Sequence, residues 1–241
     1  MKILITNDDG IFSDGIKCLA AWAKKLGDVT LCAPKFQQSG KSHGIEIHEA
    51  FEIKPVEVLD GIRAFSVDST PADCVRFAVL GLKERYDLVL SGINRGYNIG
   101  EDIVYSGTAG AIFEARALRH RAIAFSTDVH GFEFAAAHLD DAYDFILNNK
   151  LFDYGDLFNV NIPGDRAEGI KVTRQGDRYY QDEFVCEGND MYRQLGGCIY
   201  IRRDAPDDDT EAVLNGYISI TPLTVDRTDN AAYEKIKKLR L

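Results

Sequence analysis

Six short apolar segments alternate with helix-forming stretches through the first two-thirds of this 241-residue chain. The segments span residues 3–5, 29–33, 64–67, 87–90, 122–126 and 157–162. The first of them, Ile-Leu-Ile, is apolar at successive positions and has no helical spacing, which is typical of a strand buried on both faces of a parallel sheet. The alternation therefore predicts an α/β fold with a doubly wound, mostly parallel, Rossmann-like sheet.

The first apolar segment is followed by the acidic sequence Asn7, Asp8, Asp9 and Gly10. Adjacent carboxylates repel each other and resist burial, so a bound cation would stabilise them at the end of a strand. The same residue types also form ordinary turns, and glycine permits a sharp change of direction. From this stretch alone, metal binding and a simple turn are equally good interpretations.

Two further polar segments follow predicted strands. The loop over 34–44 contains Ser39, and its composition is that of a solvated connection. The segment 91–100 contains three glycines, which let the backbone curl tightly and leave Asn94 and Asn98 uncrowded.

Ser106, Gly107 and Thr108 stand where a helix is predicted to begin. Free backbone amides and the positive end of the helix dipole bind anions at such a place, and the two hydroxyls add donors. Simple N-capping by Ser106 or Thr108 accounts for the same pattern equally well. Another helix start has Thr70 as N-cap and Asp73 at capping-box spacing, so we assign these two residues to capping rather than to catalysis.

Charge and cysteine content restrict the class of protein. With 28 basic and 38 acidic residues the net charge is −10, which argues against binding to nucleic-acid polymers. The five cysteines are odd in number and form no CxxC pair, which favours reduced thiols in a cytosolic protein. We see no apolar run of about 18 residues and no signal peptide, so we expect a cytoplasmic protein without a membrane partner.

The character of the sequence changes near residue 165. We predict an α/β catalytic core over 1–165 and a β-rich extension over 166–241 that mediates oligomerisation. Within the extension, strands at 170–173 and 198–201 flank a projecting polar and aromatic arm over 174–197, and a last strand and a short basic helix follow. Aromatic residues on such an arm favour a subunit contact, although one of them could stack on a nucleotide base.

The candidate site residues all follow strands of the predicted sheet. In a doubly wound sheet, ligands bind beyond the carboxyl ends of the strands, so these residues are expected to converge there. The side chains of Asp8, Asp9, Ser39 and Asn94 offer only oxygen donors of the kind that suit Mg²⁺ or Mn²⁺, or Ca²⁺, rather than zinc. A cation beside an anion-binding helix start indicates a phosphate-bearing substrate.

Several ungapped motifs resemble the SurE family of survival-protein phosphatases, in the same order along nearly the full chain. They are Ile-Thr-Asn-Asp-Asp-Gly at 5–10, Ser-Gly at 39–40, Thr-Pro-Ala-Asp-Cys-Val at 70–75, Ser-Gly-Ile-Asn-Arg-Gly-Tyr-Asn-Ile-Gly at 91–100, Tyr-Ser-Gly-Thr-Ala at 105–109, Asn-Val-Asn-Ile-Pro at 159–163 and Ile-Thr-Pro-Leu at 220–223. One departure is Asn230, which stands where some members have the histidine of an Asp-x-Thr-x-His motif.

The resemblance implies a metal-dependent, acid-phosphatase-like 5′/3′-nucleotidase that hydrolyses nucleoside monophosphates, in some members with activity on short polyphosphate. It implies one divalent cation per subunit, held by Asp8, Asp9, Ser39 and Asn94. It also implies phosphate contacts from Asn98 and 106–108, and a homodimer or tetramer formed through the C-terminal arm.

Our mechanistic hypothesis is in-line attack by a metal-activated water, with Asp8, Asp9 and Asn98 as the catalytic residues. Two alternatives remain open. One is a protein that binds metal and nucleotide without turnover, and the other is a receiver-like signalling domain, which would need a lysine where this chain has Thr127. A dinucleotide oxidoreductase is disfavoured because the first strand-to-helix turn lacks GxGxxG.

Overall fold

The computed structural model describes residues 1–239, and its centre is one mixed sheet of nine strands. The strands of the chain are β1 Lys2–Thr6, β2 Asp28–Pro34, β3 Ile53–Val56, β4 Arg63–Val67, β5 Leu88–Arg95, β6 Ala122–Thr127, β7 Leu157–Ile162, β8 Gly169–Val172, β9 Tyr180–Gly188, β10 Met191–Cys198 and β11 Tyr217–Pro222. The α-helices are α1 Asp14–Ala23, α2 Pro71–Arg76, α3 Gly107–Ala117, α4 Phe132–Ala137, α5 Leu139–Asn148, α6 Asp209–Leu214 and α7 Asn230–Ile236. A π-helical turn covers Phe77–Gly81, and short 3₁₀ helices cover Gly100–Tyr105 and Leu151–Asp153.

The strand order in the sheet is β3-β4-β2-β1-β5-β6-β7-β11-β8. The six strands from β4 to β7 are mutually parallel, which confirms the predicted doubly wound, mostly parallel α/β fold. β3 and β11 run antiparallel to their inner neighbours, and β8 is parallel to β11. The chain builds outward from β1 through β2 on one side and through β5 on the other, so the topological switch point lies between β1 and β5.

β1 is buried on both faces, as its continuous apolar run predicts. Ile3 and Ile5 pack into the core cluster on one face, whereas Leu4 packs into the cluster on the opposite face. Helix α1 covers the first face and α2 and α3 cover the second. Alternate side chains of a strand point to opposite faces, so a strand between two helical layers must be apolar at every position.

Some predicted elements differ from the structure. The strand predicted over 198–201 is wrong, because β10 ends at Cys198 and the arm itself is the hairpin of β9 and β10. The amphipathic pattern of residues 135–147 predicts one helix, but the structure has the pair α4 and α5, because His138 leaves the helical backbone conformation between them. The weak alternation of residues 45–63 predicts short antiparallel strands, of which the structure contains only β3 and the first residue of β4. Helix α6 was not predicted.

The region beyond residue 165 contributes two kinds of structure. β8 and β11 extend the central sheet, whereas the hairpin of β9 and β10 forms a separate two-stranded sheet whose residues are all exposed. Helix α7 contributes no buried residue. None of the helices within residues 1–239 combines the length and the apolar composition needed to cross a membrane. The domain boundary at 165 stays a prediction.

Candidate functional site

The site is built where β1 and β5 diverge at the switch point of the sheet. β5 is parallel to β1 and carries an irregularity between Ser91 and Asn94 in its pairing with β6. Gly92 makes this irregularity possible, since its φ is +129° and a Cβ atom there would lie 2.2 Å from the Phe125 carbonyl oxygen. A bulge of this kind re-aims the following side chains, which here include Asn94.

Asp8 is the buried carboxylate of the site and is 5% exposed. Its Oδ1 accepts a hydrogen bond of 2.6 Å from the Thr108 hydroxyl in the first turn of α3. Burial raises the pKa of Asp8 to about 6, and the charge of Asp9 adds to this increase, whereas the Thr108 hydrogen bond opposes it. The helix start lies directly against this carboxylate, since a Cβ atom on Gly107 would be 2.9 Å from the Asp8 Cβ.

Asp9 is half-buried beside the same strand end. Its Oδ2 accepts a hydrogen bond of 3.2 Å from the backbone amide of Arg95, and burial raises its pKa. Asn7 holds the turn between these acids and α1, because its side-chain amide donates to the Gly10 carbonyl at 3.0 Å and to the Ser13 hydroxyl at 2.7 Å. The turn interpretation is therefore confirmed for Asn7. The two carboxylates take no part in this turn, because Asp8 bonds Thr108 and Asp9 bonds the Arg95 amide.

The loop over 34–44 is tied to the site at several points. The Gln38 amide donates to the Asp8 carbonyl at 2.7 Å, and the Ser42 hydroxyl donates to the Val104 carbonyl at 2.6 Å. Ser39, between these two anchors, accepts a hydrogen bond of 2.9 Å from the side-chain amide of Gln37. The loop is thus an ordered wall of the site rather than a free solvated connection.

A buried carboxylate fixes the far end of this loop to α3. Glu114 is 5% exposed, and its two carboxylate oxygens lie 2.8 Å from His43 Nε2 and 2.8 Å from Arg76 Nη1. Both partners lower the pKa of Glu114, although burial alone would raise it. The carboxylate therefore joins the Ser39 loop, α2 and α3 into one unit.

Asn98 is held by polar residues of two neighbouring strands. Its side-chain amide donates to the Ser126 hydroxyl at 2.8 Å, and its backbone amide donates to Asn161 Oδ1 at 2.9 Å. Its carbonyl accepts hydrogen bonds from the side-chain amides of Asn159 at 2.7 Å and Asn161 at 3.0 Å. Asn94, in contrast, donates to the Gly96 carbonyl at 2.8 Å, and its Oδ1 accepts no hydrogen bond from the part of the chain that the structure describes.

Side-chain hydroxyls cap the N-termini of both α3 and α2. Ser106 is the N-cap of α3 and accepts a hydrogen bond of 3.0 Å from the Ala109 amide, so its hydroxyl hydrogen remains available to a ligand. Thr70 caps α2 in the same way through the Asp73 amide at 3.1 Å, which confirms that assignment. Thr108 is fully buried and its hydroxyl faces Asp8, so it supports the carboxylate from behind.

A cleft of about 560 Å³ lies in front of these residues. Five of the predicted site residues line it, namely Asp8, Ser39, Asn94, Asn98 and Ser106. The other three lie behind the lining: Gly107 and Thr108 contact Asp8, and Asp9 accepts a hydrogen bond from the backbone amide of Arg95, a further residue of the cleft. The structure thus brings together all eight predicted residues.

Other residues of the cleft were not predicted. Further lining comes from Gly40, Arg95, Gly96, Tyr97, Asp102, Tyr105, Tyr180, Asp182 and Gln194. Arg95 is the one cation among the described lining residues. The supports of Asn98 were missed as well, although three polar side chains in otherwise apolar strands (Ser126, Asn159 and Asn161) are a signal that a buried site lies nearby.

The fold and the site define the class: a doubly wound α/β protein with an acidic ligand cleft at the switch point of its sheet. The family model described as Survival protein SurE matches residues 3–182. The 5′-nucleotidase SurE of Alkaliphilus metalliredigens is 38% identical over 100% of this chain and 99% of its own. The 5′-nucleotidase SurE of Gemmatimonas aurantiaca is 40% identical over 95% of this chain and 94% of its own.

A solved structure agrees with these relatives. The crystal structure of the SurE protein from Aquifex aeolicus matches with a TM-score of 0.80 and 36% identity, and the match covers 98% of each chain. The chain belongs to the SurE family, which confirms the resemblance of the motifs.

Proposed function

We propose that this protein is a divalent-metal-dependent phosphomonoesterase that hydrolyses nucleoside 5′- and 3′-monophosphates to nucleoside and phosphate. The observation that carries the proposal is the buried Asp8 carboxylate facing a shared cleft beside the N-terminus of α3. Relatives with 35–40% identity over nearly the whole chain are named 5′-nucleotidase SurE, which supports nucleotidase chemistry. Family membership argues against a receiver-like signalling domain.

The residues fit one hard divalent cation. Within residues 1–239 no group of three or more His, Cys, Asp or Glu side chains is placed to hold a metal ion, whereas the set predicted from the sequence combines two carboxylates with a hydroxyl and an amide oxygen. Oxygen donors alone suit Mg²⁺, Mn²⁺ or Ca²⁺. Burial raises the pKa of Asp8 and that of Asp9 despite the hydrogen bonds from Thr108 and Arg95, so both carboxylates would gain from a bound cation.

The side chains divide the chemistry among them. A bound cation would supply positive charge to the phosphoryl oxygens and lower the pKa of a coordinated water. Asp8 or Asp9 takes the proton that the attacking water loses, and Thr108 holds Asp8 in place for this task. Asn98, the Ser106 hydroxyl and the backbone amides at the start of α3 bind the phosphoryl oxygens and stabilise the charge that develops on them.

Removal of divalent metal is expected to abolish phosphate release. After divalent metal is removed with a chelator, we expect the protein to release phosphate from 5′-AMP or 3′-AMP at less than about one-hundredth of its rate in the presence of Mn²⁺ or Mg²⁺. Colorimetric phosphate assays across a panel of nucleoside monophosphates and metals measure this. Full activity after chelation would contradict the metal dependence, and tight nucleotide binding without phosphate release would favour the binding-only alternative.

Short polyphosphate can be tested as a second substrate in the same phosphate-release assay. The lining contains one cation, Arg95, but also the carboxylates Asp102 and Asp182, which repel an extended polyanion. We therefore propose exopolyphosphatase activity only as a side reaction, slower with tripolyphosphate than with 5′-AMP.

The hairpin of β9 and β10 supports a homodimer or tetramer. A two-stranded hairpin without other packing is marginally stable in water, and this one exposes Phe184, Met191 and Tyr192 by 62–70%. A partner subunit that covers these side chains would stabilise it.

Shortening the hairpin is expected to break the oligomer. Replacement of residues 181–197 by Asn-Gly joins two positions that are already paired, Tyr180 and Cys198, and keeps the base of the arm. Light scattering on a sizing column should then give the mass of one chain instead of two or four. An unchanged mass would exclude the arm as the main interface.

A further inference from the structure

The outer wall of the cleft comes from the hairpin rather than from the central sheet. Tyr180 and Asp182 of β9 and Gln194 of β10 line the same cleft as Asp8 and Ser106. In the hairpin register Tyr180 pairs with Cys198 and Asp182 pairs with Gly196. Alternate residues share a face, so these positions belong to the face that turns toward the cleft.

The wall is fixed to the phosphate end of the site by one carboxylate. Asp102 lies in the 3₁₀ helix that leads to Ser106, and its Oδ2 accepts hydrogen bonds of 2.8 Å from the backbone amides of both Tyr179 and Tyr180. The Tyr179 ring braces the Tyr180 ring edge-on, with centroids 4.8 Å apart and planes at 84°. The position of the Tyr180 ring is therefore set relative to the phosphate-binding residues.

We propose that this hairpin face is the base-recognition wall of the cleft, with the Tyr180 ring as the platform on which a nucleoside base stacks. The inference rests on the proposed function and specifies its substrate class as phosphomonoesters that carry an aromatic base. Gly196 adds no side chain to the same face, and the Asp182 carboxylate lies over it, since a Cβ atom there would be 2.6 Å from Asp182 Oδ1. The Asp182 carboxylate accepts and the Gln194 amide donates and accepts, so both can bond the edge of the base.

Tyr180 suits this role better than the other two tyrosines of the cleft. Tyr105 immediately precedes Ser106 and so belongs to the phosphate end. Tyr97 is half-buried and lies in the curled segment next to Asn98, so its ring is part of the packed wall. Tyr180 is 41% exposed and belongs to the hairpin, whereas the residues that would bind phosphate belong to the segments that follow β5.

The experiment compares 5′-AMP with ribose 5-phosphate, which has the same sugar and phosphate but no base. Stacking on an aromatic ring contributes enough for Tyr180→Ala to raise KM for 5′-AMP about tenfold. KM for ribose 5-phosphate should stay within about twofold of wild type, and Tyr180→Phe should restore the 5′-AMP value. Tyr154→Ala, which removes an exposed tyrosine outside both the cleft lining and the hairpin, is the matched control and should alter neither KM.

A second readout needs no turnover. Calorimetry should show adenosine, which has no phosphate, binding about tenfold more weakly to the full-length Tyr180→Ala protein than to wild type. If wild type hydrolyses neither ester but loses adenosine affinity on this change, the proposed function fails and the base wall stands. The base wall would be overturned if Tyr180→Ala changed KM for both esters equally or changed neither. It would also be overturned if Tyr105→Ala, rather than Tyr180→Ala, weakened the binding of adenosine.

Discussion

The Asp8→Asn protein is expected to be nearly inactive and, without metal, more stable than wild type. The change removes the buried charge that would bind the cation and accept a proton, so kcat/KM for 5′-AMP should fall by about 10³-fold. The asparagine Oδ1 can still accept the hydrogen bond from Thr108, so the fold is kept. Loss of activity with retained structure would place Asp8 in the chemistry itself.

The gain in stability follows from the pKa of Asp8. Folding raises this pKa from 3.8 to about 6, so the native state binds the proton more tightly than the unfolded chain does. The free energy of unfolding of the metal-free protein therefore falls as the pH rises from about 4 to 6 and stays low above that range. Asp8→Asn removes this cost, and we expect a gain of about 2 kcal/mol at pH 8 and little gain at pH 4.

Urea unfolding in the presence of a chelator, at both pH values, measures this difference. Asp140→Asn is the matched control, because Asp140 is exposed on α5 and its pKa is lowered by hydrogen bonds from Lys25 and Trp22. This control should keep full activity and gain no stability. An active Asp8→Asn enzyme, or one that is less stable than wild type at pH 8, would show that Asp8 is structural.

The Gly110→Ala protein is expected to lose both stability and activity, although alanine is the better helix former. In α3 the substitution alone would favour the helix by about 1 kcal/mol. A Cβ atom there would lie 2.1 Å from the Ser42 carbonyl oxygen and 2.7 Å from its carbonyl carbon, and backbone atoms cannot rotate away. The loop over 34–44 must move, so we expect net destabilisation of about 1–3 kcal/mol.

Activity should fall with the loop, since the same segment carries Ser39 and the Gln38 amide that bonds the Asp8 carbonyl. We expect kcat/KM for 5′-AMP to decrease about 10- to 100-fold. Gly155→Ala is the control, because nothing lies within 4 Å of a Cβ at that position, and it should change neither quantity. Thermal melts and phosphate release together test the prediction, and unchanged values for Gly110→Ala would show that the loop adjusts freely.

The parts of the site that sequence could predict are those whose signal is local. The Asp8–Asp9 pair at a strand end and the Ser106 helix start are readable within a few residues, and the parallel direction of the six strands follows from their alternation with helices. Contacts between distant segments leave no such signal. The support of Asn98 by Ser126 and Asn161, and the packing of Ser42 on Gly110, depend on strand register and helix position, which appear only in three dimensions.

The arm was predicted as a region but not as a wall of the cleft, for a related reason. Its polar and aromatic composition indicates exposure and contact, whereas its approach to the site depends on the Asp102 carboxylate, which is 77 residues away from Tyr179. A single acceptor in a 3₁₀ helix is indistinguishable in sequence from any other surface aspartate.

The attachment of the hairpin through its base has a consequence for how members of such a family can diverge. Residues that would perform hydrolysis sit on the packed central sheet, where exchange is restricted, whereas residues that would select the leaving nucleoside sit on an appendage whose own strands bury nothing. Substitutions at the tip and on the face of that hairpin can therefore change the substrate preference without changing the residues of the reaction centre.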